Sequence, residues 1–331
     1  MQHDPETLVV GVDLGGSKIA SAVVNTHGEI LSRDYRPTPV TQDEQLVVQE
    51  ILSSVSGAVD KIGALTEKVA AIGIAAAGFS NRESGVVYTS PNLPALQNTP
   101  LRDIIAKKSN KKAFLINDAK AAALGELYFG AARGARHFIY VTISTGIGGG
   151  IIIDGKLYFG KIGTAGEVGH MIIDADGPLC HCGSRGCWES LASGTALARE
   201  AKLHIEKGTR SSIVDYVSGD VGKVTAAVVH TAAKNGDALA RELITKTSFY
   251  VGVGLVNLIN IFNPELIVIG GGLSNLGDML FTPALKLVKE RVCKEVFQSF
   301  RLEIARLGVD SGVLGAAIYT FQEMSGKDTG W

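Results

Sequence analysis

The chain of 331 residues is 46% hydrophobic and 20% charged, an ordinary globular composition with room for about two domains. Its net charge of −1 disfavours a nucleic-acid surface, which would need clustered basic residues. No basic segment followed by an apolar one opens the chain, and no apolar run has transmembrane length. With only four cysteines, we expect a cytoplasmic protein that contacts neither membrane nor nucleic acid.

One pattern of strand, glycine turn, strand, turn and strand is predicted twice. Its first copy has strands over residues 8–13 and up to Val24, a glycine turn between them, and a third strand from Glu29. The second copy has a strand over residues 137–143, a glycine turn over 144–150, and strands over 151–153 and 156–159. The repeated order predicts two related domains that face each other.

The glycine turns suggest phosphate binding, because exposed N–H groups can receive phosphate oxygens that a side chain would hold off. Neither turn matches a P-loop or a dinucleotide fingerprint, and two ordinary hairpins would show the same glycines. Asp13 beside phosphates would need Mg²⁺ between them. A third glycine run, 270–272, follows a predicted strand. The candidate nucleotide contacts are Asp13, Gly15, Gly16, Ser17, Lys18, Thr145, Gly146, Gly148 and Gly271.

Alternating helices and strands occupy the rest of the chain. Thr41-x-x-Glu44 resembles a capping box that opens a helix reaching Val59. Strands are predicted over residues 69–75, 113–116, 266–269 and 302–306. Further helices are predicted over residues 119–129, 190–202, 224–233, 237–262, 281–296 and 313–321, and the tail 324–331 is expected to be frayed.

Asp118 follows the strand over residues 113–116 and admits two compatible roles. As a helix N-cap it would accept a backbone hydrogen bond and need no further function. As a catalytic base it would stand at the carboxyl end of a parallel strand, where open α/β sheets bind ligands. Asn117 beside it and the glycine turns favour the catalytic role.

The segment 166–189 contains a candidate metal site. Cys180, Cys182 and Cys187 have the spacing C-x-C-x4-C, and His170 lies ten positions before the first of them. Three thiolates and one imidazole form a tetrahedral zinc set. A disulfide with a spare thiol, or a redox loop, is the alternative. His181 is the rival imidazole, although adjacent ligands crowd one tetrahedral ion.

Glu167 and Glu189 lie near the two ends of this segment, so a bound metal would hold two carboxylates and an imidazole in fixed relation, as a polyol site requires. The other histidines are expected outside the site, on the surface or in the core. They are His3, His27, His137, His204 and His230.

Four motifs together resemble the ROK family of sugar kinases and repressors, and the likeness covers nearly the whole chain. They are Asp13-x-Gly15-Gly16-Ser17-Lys18, the 144–150 turn, Glu167-x-x-His170 and Cys180-x-Cys182-Gly183-x-x-Gly186-Cys187-x-Glu189. The resemblance implies an α/β chain with an actin-like ATPase fold, two ribonuclease-H-like domains around a cleft, ATP with Mg²⁺, a structural zinc and phosphorylation of a hexose. It assigns sugar contacts to Gly78, Asn117, Asp118, Glu167, His170 and Glu189, with Asp118 as the base.

Two positions depart from the family pattern. Ser17 stands where threonine is usual and keeps the hydroxyl, whereas Ala77 replaces a proline that commonly precedes Gly78, which leaves that loop less rigid. Repressors of the family carry a winged helix-turn-helix before the first turn, and about ten residues are too few for one, so we expect an enzyme.

The form of the cysteine motif resembles glucokinases and N-acetylhexosamine kinases, and we favour glucose as the substrate. The alternatives are an N-acetylmannosamine or N-acetylglucosamine kinase, a non-catalytic sugar sensor, and polyphosphate as the donor. We expect a small domain over residues 1–117 with the helix 313–331, a large domain over 118–312, and, from the resemblance, a homodimer.

Overall fold

The computed structural model describes residues 6–326 and contains two five-stranded sheets and a two-stranded hairpin. The strands are β1 (Leu8–Leu14), β2 (Lys18–Asn25), β3 (Ile30–Pro37), β4 (Val69–Ala76), β5 (Phe79–Asn81), β6 (Val86–Thr89), β7 (Lys112–Asn117), β8 (Phe138–Ile143), β9 (Ile147–Ile153), β10 (Lys156–Leu157), β11 (Leu266–Gly270) and β12 (Arg301–Ile304). The helices are α1 (Glu44–Val59), α2 (Leu101–Ser109), α3 (Asp118–Phe129), α4 (Trp188–Ala192), α5 (Gly194–Glu206), α6 (Ala226–Lys234), α7 (Ala238–Phe262), α8 (Asp278–Arg291), α9 (Lys294–Ser299) and α10 (Ser311–Ser325).

Both large sheets have the same strand order. The first is β3-β2-β1-β4-β7, with β1 to β3 antiparallel and β4 and β7 parallel to β1. The second is β10-β9-β8-β11-β12, with β9 and β10 antiparallel and β11 and β12 parallel. The predicted strand repeat is therefore confirmed, and β5 and β6 form the separate hairpin.

The glycine turns are shorter than predicted. Only residues 15–17 and 144–146 lie between strands, so each turn has the same length. Gly148 and Gly150 continue β9, and a Cβ at Gly150 would come within 2.5 Å of the Ala123 Cβ. Packing against α3 therefore accounts for that glycine without any ligand.

Contacts divide the chain into two compact units. The first comprises residues up to Tyr140, Gly150–Gly166 and residues from Ala305 on; the second comprises Val141–Gly149 and Glu167–Ile304. These units are defined by contacts. The predicted domain boundaries after residues 117 and 312 stay a prediction.

Helix α10 is the central helix of the first unit. Its residues from Ser311 to Phe321 are all buried, and its backbone lies directly on the first sheet. A Cβ at Gly11 of β1 would come within 2.0 Å of the Val313 carbonyl oxygen, and one at Gly73 of β4 within 2.3 Å of the Ala316 oxygen. Such close backbone approach is possible only because both strand residues are glycines.

Side-chain caps define several helix starts, and one of them corrects the sequence analysis. Asp43, not Thr41, is the N-cap of α1, because its side chain accepts the Gln45 N–H. The Thr41 hydroxyl accepts the Asp43 N–H, and Glu44 accepts from the Thr99 hydroxyl. The predicted capping box is therefore wrong, although the helix itself is confirmed.

The predicted helix 281–296 is two helices. Helix α8 ends at Arg291 and α9 begins at Lys294, with Val292 and Cys293 extended between them. Val292 is β-branched and buried, which favours the extended backbone over a continued helix. The expectation of a frayed tail is wrong for Met324 and Ser325, which are helical, and its remainder beyond residue 326 lies outside the described residues.

Within residues 6–326, none of the helices has both the length and the apolar character needed to cross a lipid bilayer.

Replacing Gly315 with alanine tests the close packing of α10 against α3. The new Cβ would come within 1.7 Å of the Ala121 carbonyl oxygen, so the helices must separate. We expect Gly315→Ala to lower the free energy of unfolding by about 1–3 kcal/mol in urea titrations, although alanine favours a helix by about 1 kcal/mol. Ser325→Ala on the same helix is the control and should change it by less than about 0.5 kcal/mol. Unchanged stability of Gly315→Ala would contradict this packing.

Candidate functional site

Four predicted site residues lie at or just beyond the carboxyl ends of β1, β4 and β7, at one edge of the first sheet. They are Asp13, Gly78, Asn117 and Asp118. The parallel register pairs Asp13 with Ala75 and Ala76 with Asn117. The Asn117 Nδ2 donates to the Gly78 carbonyl oxygen at 3.1 Å. A Cβ at Gly78 would come within 2.4 Å of the Thr89 oxygen, so the turn after β4 also requires glycine for packing.

Asn117, not Asp118, is the N-cap of α3. Its Oδ1 accepts the Lys120 N–H at 3.2 Å while its amide holds Gly78. Asp118 is the first helical residue, and its Oδ1 accepts the Ala119 N–H at 2.9 Å. The predicted capping role of Asp118 is therefore wrong; the cap fixes the helix start from which the Asp118 carboxylate extends.

Asp13 and Asp118 form a pair of carboxylates with perturbed acidity. Burial, and then the charge of Asp118, raise the pKa of Asp13 from 3.8 to about 7, against a lowering effect of Lys18. Burial also raises the pKa of Asp118, although the Ala119 N–H and the Lys120 charge oppose the shift. Two interacting carboxylates that lose hydration are the environment in which a divalent cation or a transferred proton is accommodated.

The glycine turn 15–17 lies beside Asp13 and has its own packing constraints. A Cβ at Gly16 would come within 2.7 Å of the Asn92 Cβ, and the Gly15 N–H donates to the Lys18 carbonyl oxygen at 3.0 Å. The Lys18 ammonium lies 5.3 Å from the centre of the Tyr35 ring. Ser17 lies in the turn between β1 and β2.

In the second unit, His170, Cys180, Cys182 and Cys187 converge, with their ligand atoms all within 4.8 Å of one another. Zinc–sulfur bonds of about 2.3 Å in a tetrahedron place two sulfurs about 3.7 Å apart. The Cys182 and Cys187 sulfurs are 3.6 Å apart, and the Cys180 sulfur lies 3.8 Å from the His170 Nδ1. The side chains present thus fit a zinc ion.

The alternatives for these cysteines fit the geometry less well. A disulfide needs sulfurs about 2.05 Å apart, and all four cysteines are free thiols. Burial raises the pKa of the Cys187 thiol to about 12, whereas hydrogen bonds from the Ser184 backbone and from Cys187 lower the pKa of Cys182, so thiol acidity alone does not separate a redox loop from a metal set. His181 does not belong to the group formed by the described residues. Gly183 and Gly186 have φ of +89° and +67°, as a tightly wrapped loop requires.

Glu189 lies on α4, two residues beyond Cys187, and reaches the second glycine turn. Its Oε2 accepts the Ile147 N–H at 2.9 Å, and a Cβ at Gly146 would come within 2.3 Å of that oxygen. Glu167 precedes a short helical turn, Val168–His170, and its carbonyl oxygen accepts the His170 N–H at 3.1 Å. Glu167, His170 and Glu189 thus all belong to the second unit, on the chain segment that carries the three cysteines.

A cavity of about 790 Å³ in the second unit is lined by Ser144 and Thr145 of this turn and by Gly272 after β11. Gly271 beside it has φ of +86°, and a Cβ there would come within 2.4 Å of the Ile143 oxygen. Helices α5 and α6 complete the wall. The cavity therefore adjoins two of the three predicted phosphate-contact segments.

His230, which the sequence pattern had not marked as a site residue, lies beside this cavity. His230 lines the cavity, and its Nε2 is buried without a hydrogen-bond partner in the described part of the chain. Burial and the charge of Lys234 lower its pKa, which favours the neutral imidazole. No local motif marks this position, because only the approach of α6 to the turn brings it there.

The predicted site residues thus form two groups. Asp13, the turn 15–17, Lys18, Gly78, Asn117 and Asp118 belong to the first unit; Thr145, Gly146, Gly148, Glu167, His170, Glu189, Gly271 and the three cysteines belong to the second. Their combined use in one reaction stays a prediction.

Comparisons with known proteins extend over nearly the full chain. A glucokinase of Thermotoga maritima is 36% identical over 322 residues, which cover 97% of this chain and 100% of that protein. A xylose repressor of Caldicellulosiruptor bescii is 32% identical over 316 residues, which cover 96% of this chain and 78% of the repressor.

A crystal structure of a ROK family glucokinase from Streptomyces griseus, in complex with glucose and AMPPNP, aligns with a TM-score of 0.82 and 36% identity, covering 94% of this chain and 98% of that one. The predicted actin-like ATPase fold is confirmed by this likeness. The ROK family model matches residues 9–323, and the chain belongs to the ROK family.

Proposed function

We propose that the chain is a glucokinase that transfers the γ-phosphoryl group of ATP to the 6-hydroxyl of D-glucose. The observation that carries the proposal is the Asp118 carboxylate, which the Asn117 cap holds at the start of α3 and whose charge raises the pKa of Asp13. The near full-length similarity to proteins named glucokinase supports the same reaction.

Asp118 is the general base in this proposal. Burial raises the pKa of Asp118, so its carboxylate is a stronger base than that of an exposed aspartate. Asn117 and Gly78 lie next to it through their mutual hydrogen bond, and both are proposed to contact the sugar. Glu167, His170 and Glu189 are the proposed hydroxyl ligands from the second unit. A base fixed on a helix start needs little reorganisation during proton transfer.

ATP is the proposed donor, and the cavity beside the turn 144–146 is the proposed site of its nucleoside. Apolar side chains such as Leu273 and Leu276 border the cavity, as a flat base requires, while Arg199 and Lys202 also line it and could attract phosphate groups. Asp13 is the proposed partner of hydrated Mg²⁺, which would offset the charge of the transferring group.

We propose a structural zinc held by His170, Cys180, Cys182 and Cys187. When bound, the ion would cross-link the loop and supply no chemistry to the transfer itself. His170 would then connect the metal set to the sugar contacts. Homodimeric assembly and a cytoplasmic location stay predictions from the sequence.

A hexose panel tests the proposed reaction. Coupled detection of ADP with ATP and Mg²⁺ should show turnover with glucose, and phosphorus NMR should identify a 6-phosphate monoester. Faster turnover with N-acetylmannosamine or N-acetylglucosamine than with glucose would identify that sugar, not glucose, as the substrate. Turnover with polyphosphate but not ATP would overturn the donor assignment. If no sugar is phosphorylated although one binds, the chain is a sugar sensor.

Asp118→Asn tests the base. The variant keeps the size of the side chain and an oxygen for the Ala119 N–H but cannot accept the hydroxyl proton, so kcat should fall by about 10²- to 10⁴-fold. Calorimetric Kd for glucose should stay within a few-fold of wild type. Asp103→Asn, on an aspartate whose side chain is 62% exposed on α2, is the matched control and should keep its activity. A near-normal kcat for Asp118→Asn would rule out Asp118 as the general base.

Asp13→Asn tests whether the buried negative charge at the proposed magnesium site destabilises the fold. The pKa of Asp13 is about 7 in the folded protein against 3.8 normally, so ionisation of Asp13 destabilises the fold. This destabilisation is absent near pH 3.8, grows as the pH rises and is complete above pH 7. In EDTA, the variant should therefore melt at a higher temperature than wild type at about pH 8, and the difference should shrink at about pH 5.

The control for this series is Asp103→Asn, which should follow wild type at both pH values. A melting temperature of Asp13→Asn equal to wild type throughout would show that Asp13 bears no such cost.

A further inference from the structure

Glu189 connects two features that the proposed function uses separately. One carboxylate oxygen, Oε2, accepts the N–H of Ile147, which directly follows the second glycine turn, at 2.9 Å. The other, Oε1, lies 3.9 Å from the Cys180 sulfur of the metal set. The carboxylate thus lies between the zinc set and the turn.

The same short segment makes further contacts with the turn. Beyond α4, the Gly194 N–H donates to the Ser144 carbonyl oxygen at 2.7 Å. The Thr195 N–H donates to the Thr145 oxygen at 3.4 Å. The segment 189–195, which begins two residues after Cys187, therefore holds two backbone carbonyl groups of the turn and the first N–H of β9.

Helix α4 is well placed to transmit the position of the loop. Trp188, its first residue, is fully buried, and a Cβ at Gly254 of α7 would come within 2.0 Å of its indole ring. The Trp188 N–H donates to the Met171 carbonyl oxygen at 2.8 Å, next to His170. Because the buried indole and this hydrogen bond fix the start of α4 beside the cysteine loop, the position of Glu189, the next residue, depends on that loop.

The second glycine turn packs tightly against the Glu189 carboxylate. Gly146 has no room for a side chain, because a Cβ would come within 2.3 Å of the Glu189 Oε2. Its neighbours Ser144 and Thr145 line the cavity. Displacement of Glu189 would therefore move the backbone groups that adjoin the proposed nucleotide.

We propose that Glu189 is a positioning residue through which the His170 and cysteine set orders the second glycine turn, so that metal occupancy sets nucleotide affinity even when no sugar is present. This rests on the proposed nucleotide site. It goes beyond a sugar contact, since a residue that only bound sugar would leave sugar-free nucleotide binding unchanged.

The experiment measures the Kd of Mg·ADP by calorimetry without sugar, with zinc content determined by mass spectrometry. Glu189→Ala should keep its zinc, because Glu189 is no ligand, yet bind Mg·ADP about tenfold more weakly, the effect of losing a charged hydrogen bond. Glu189→Gln retains an acceptor oxygen and should recover much of the affinity. Glu242→Ala, on an exposed glutamate of α7 in the same unit, should bind like wild type.

Metal removal completes a thermodynamic cycle. Cys182→Ser, or wild type stripped of zinc by a chelator, should weaken Mg·ADP binding by a similar factor, and the same treatment of Glu189→Ala should weaken it little further. Circular dichroism checks that each sample remains folded. Gly146→Ala disturbs the contact from the turn side and should lower affinity with zinc retained.

Two results would overturn the inference. They are wild-type Mg·ADP affinity in Glu189→Ala, and full additivity of the metal and Glu189 effects. Either can occur in a protein that phosphorylates glucose, so the inference can fail while the proposed function stands. Conversely, coupling observed in a protein that phosphorylates no hexose would leave the inference intact and overturn the kinase.

Discussion

Backbone contact at glycines is the constraint on which the first unit depends. Gly11 and Gly73 let α10 lie directly on β1 and β4, and Gly315 lets it approach α3. The same approach brings Gly312 against the Asp13 carboxylate, where a Cβ would come within 2.6 Å of the Asp13 Cγ. Since α3 begins at Asp118, one packing arrangement fixes the surroundings of both carboxylates. Helix packing thus sets the surroundings of Asp13 and of Asp118.

The second unit reaches a similar result through different chemistry. Its site segment has little regular structure between Glu167 and Cys187, so close packing of long elements cannot hold it. Three thiols and an imidazole with zinc-like spacing converge in this segment, and we propose that a metal there holds it and that α4 connects the metal set to Glu189. Glycine is again required, at Gly146 and Gly186, wherever backbone or carboxylate oxygens come within contact distance.

Sequence patterns predicted the strand repeat and the cysteine site because both depend on short-range regularities: alternating runs around glycines, and fixed ligand spacing. Predictions failed where neighbours distant in sequence decide. Asn117 rather than Asp118 caps α3 since its amide is also engaged by Gly78, and the break at Val292 follows from burial. His230 reaches the cavity only through tertiary packing. The glycines at 16, 150 and 271 resemble phosphate contacts, yet each also has a packing requirement.

The position of α10 has a consequence for how the chain is made. The first unit combines β1, near the beginning of the chain, with a helix that ends at Ser325, whereas most of the second unit is one continuous segment, Glu167–Ile304. During synthesis, that segment leaves the ribosome before α10 exists. The apolar faces of β1 and β4 therefore stay without their covering helix until residues 311–325 have been synthesised, and this is the interval in which exposed apolar surface is most open to aggregation.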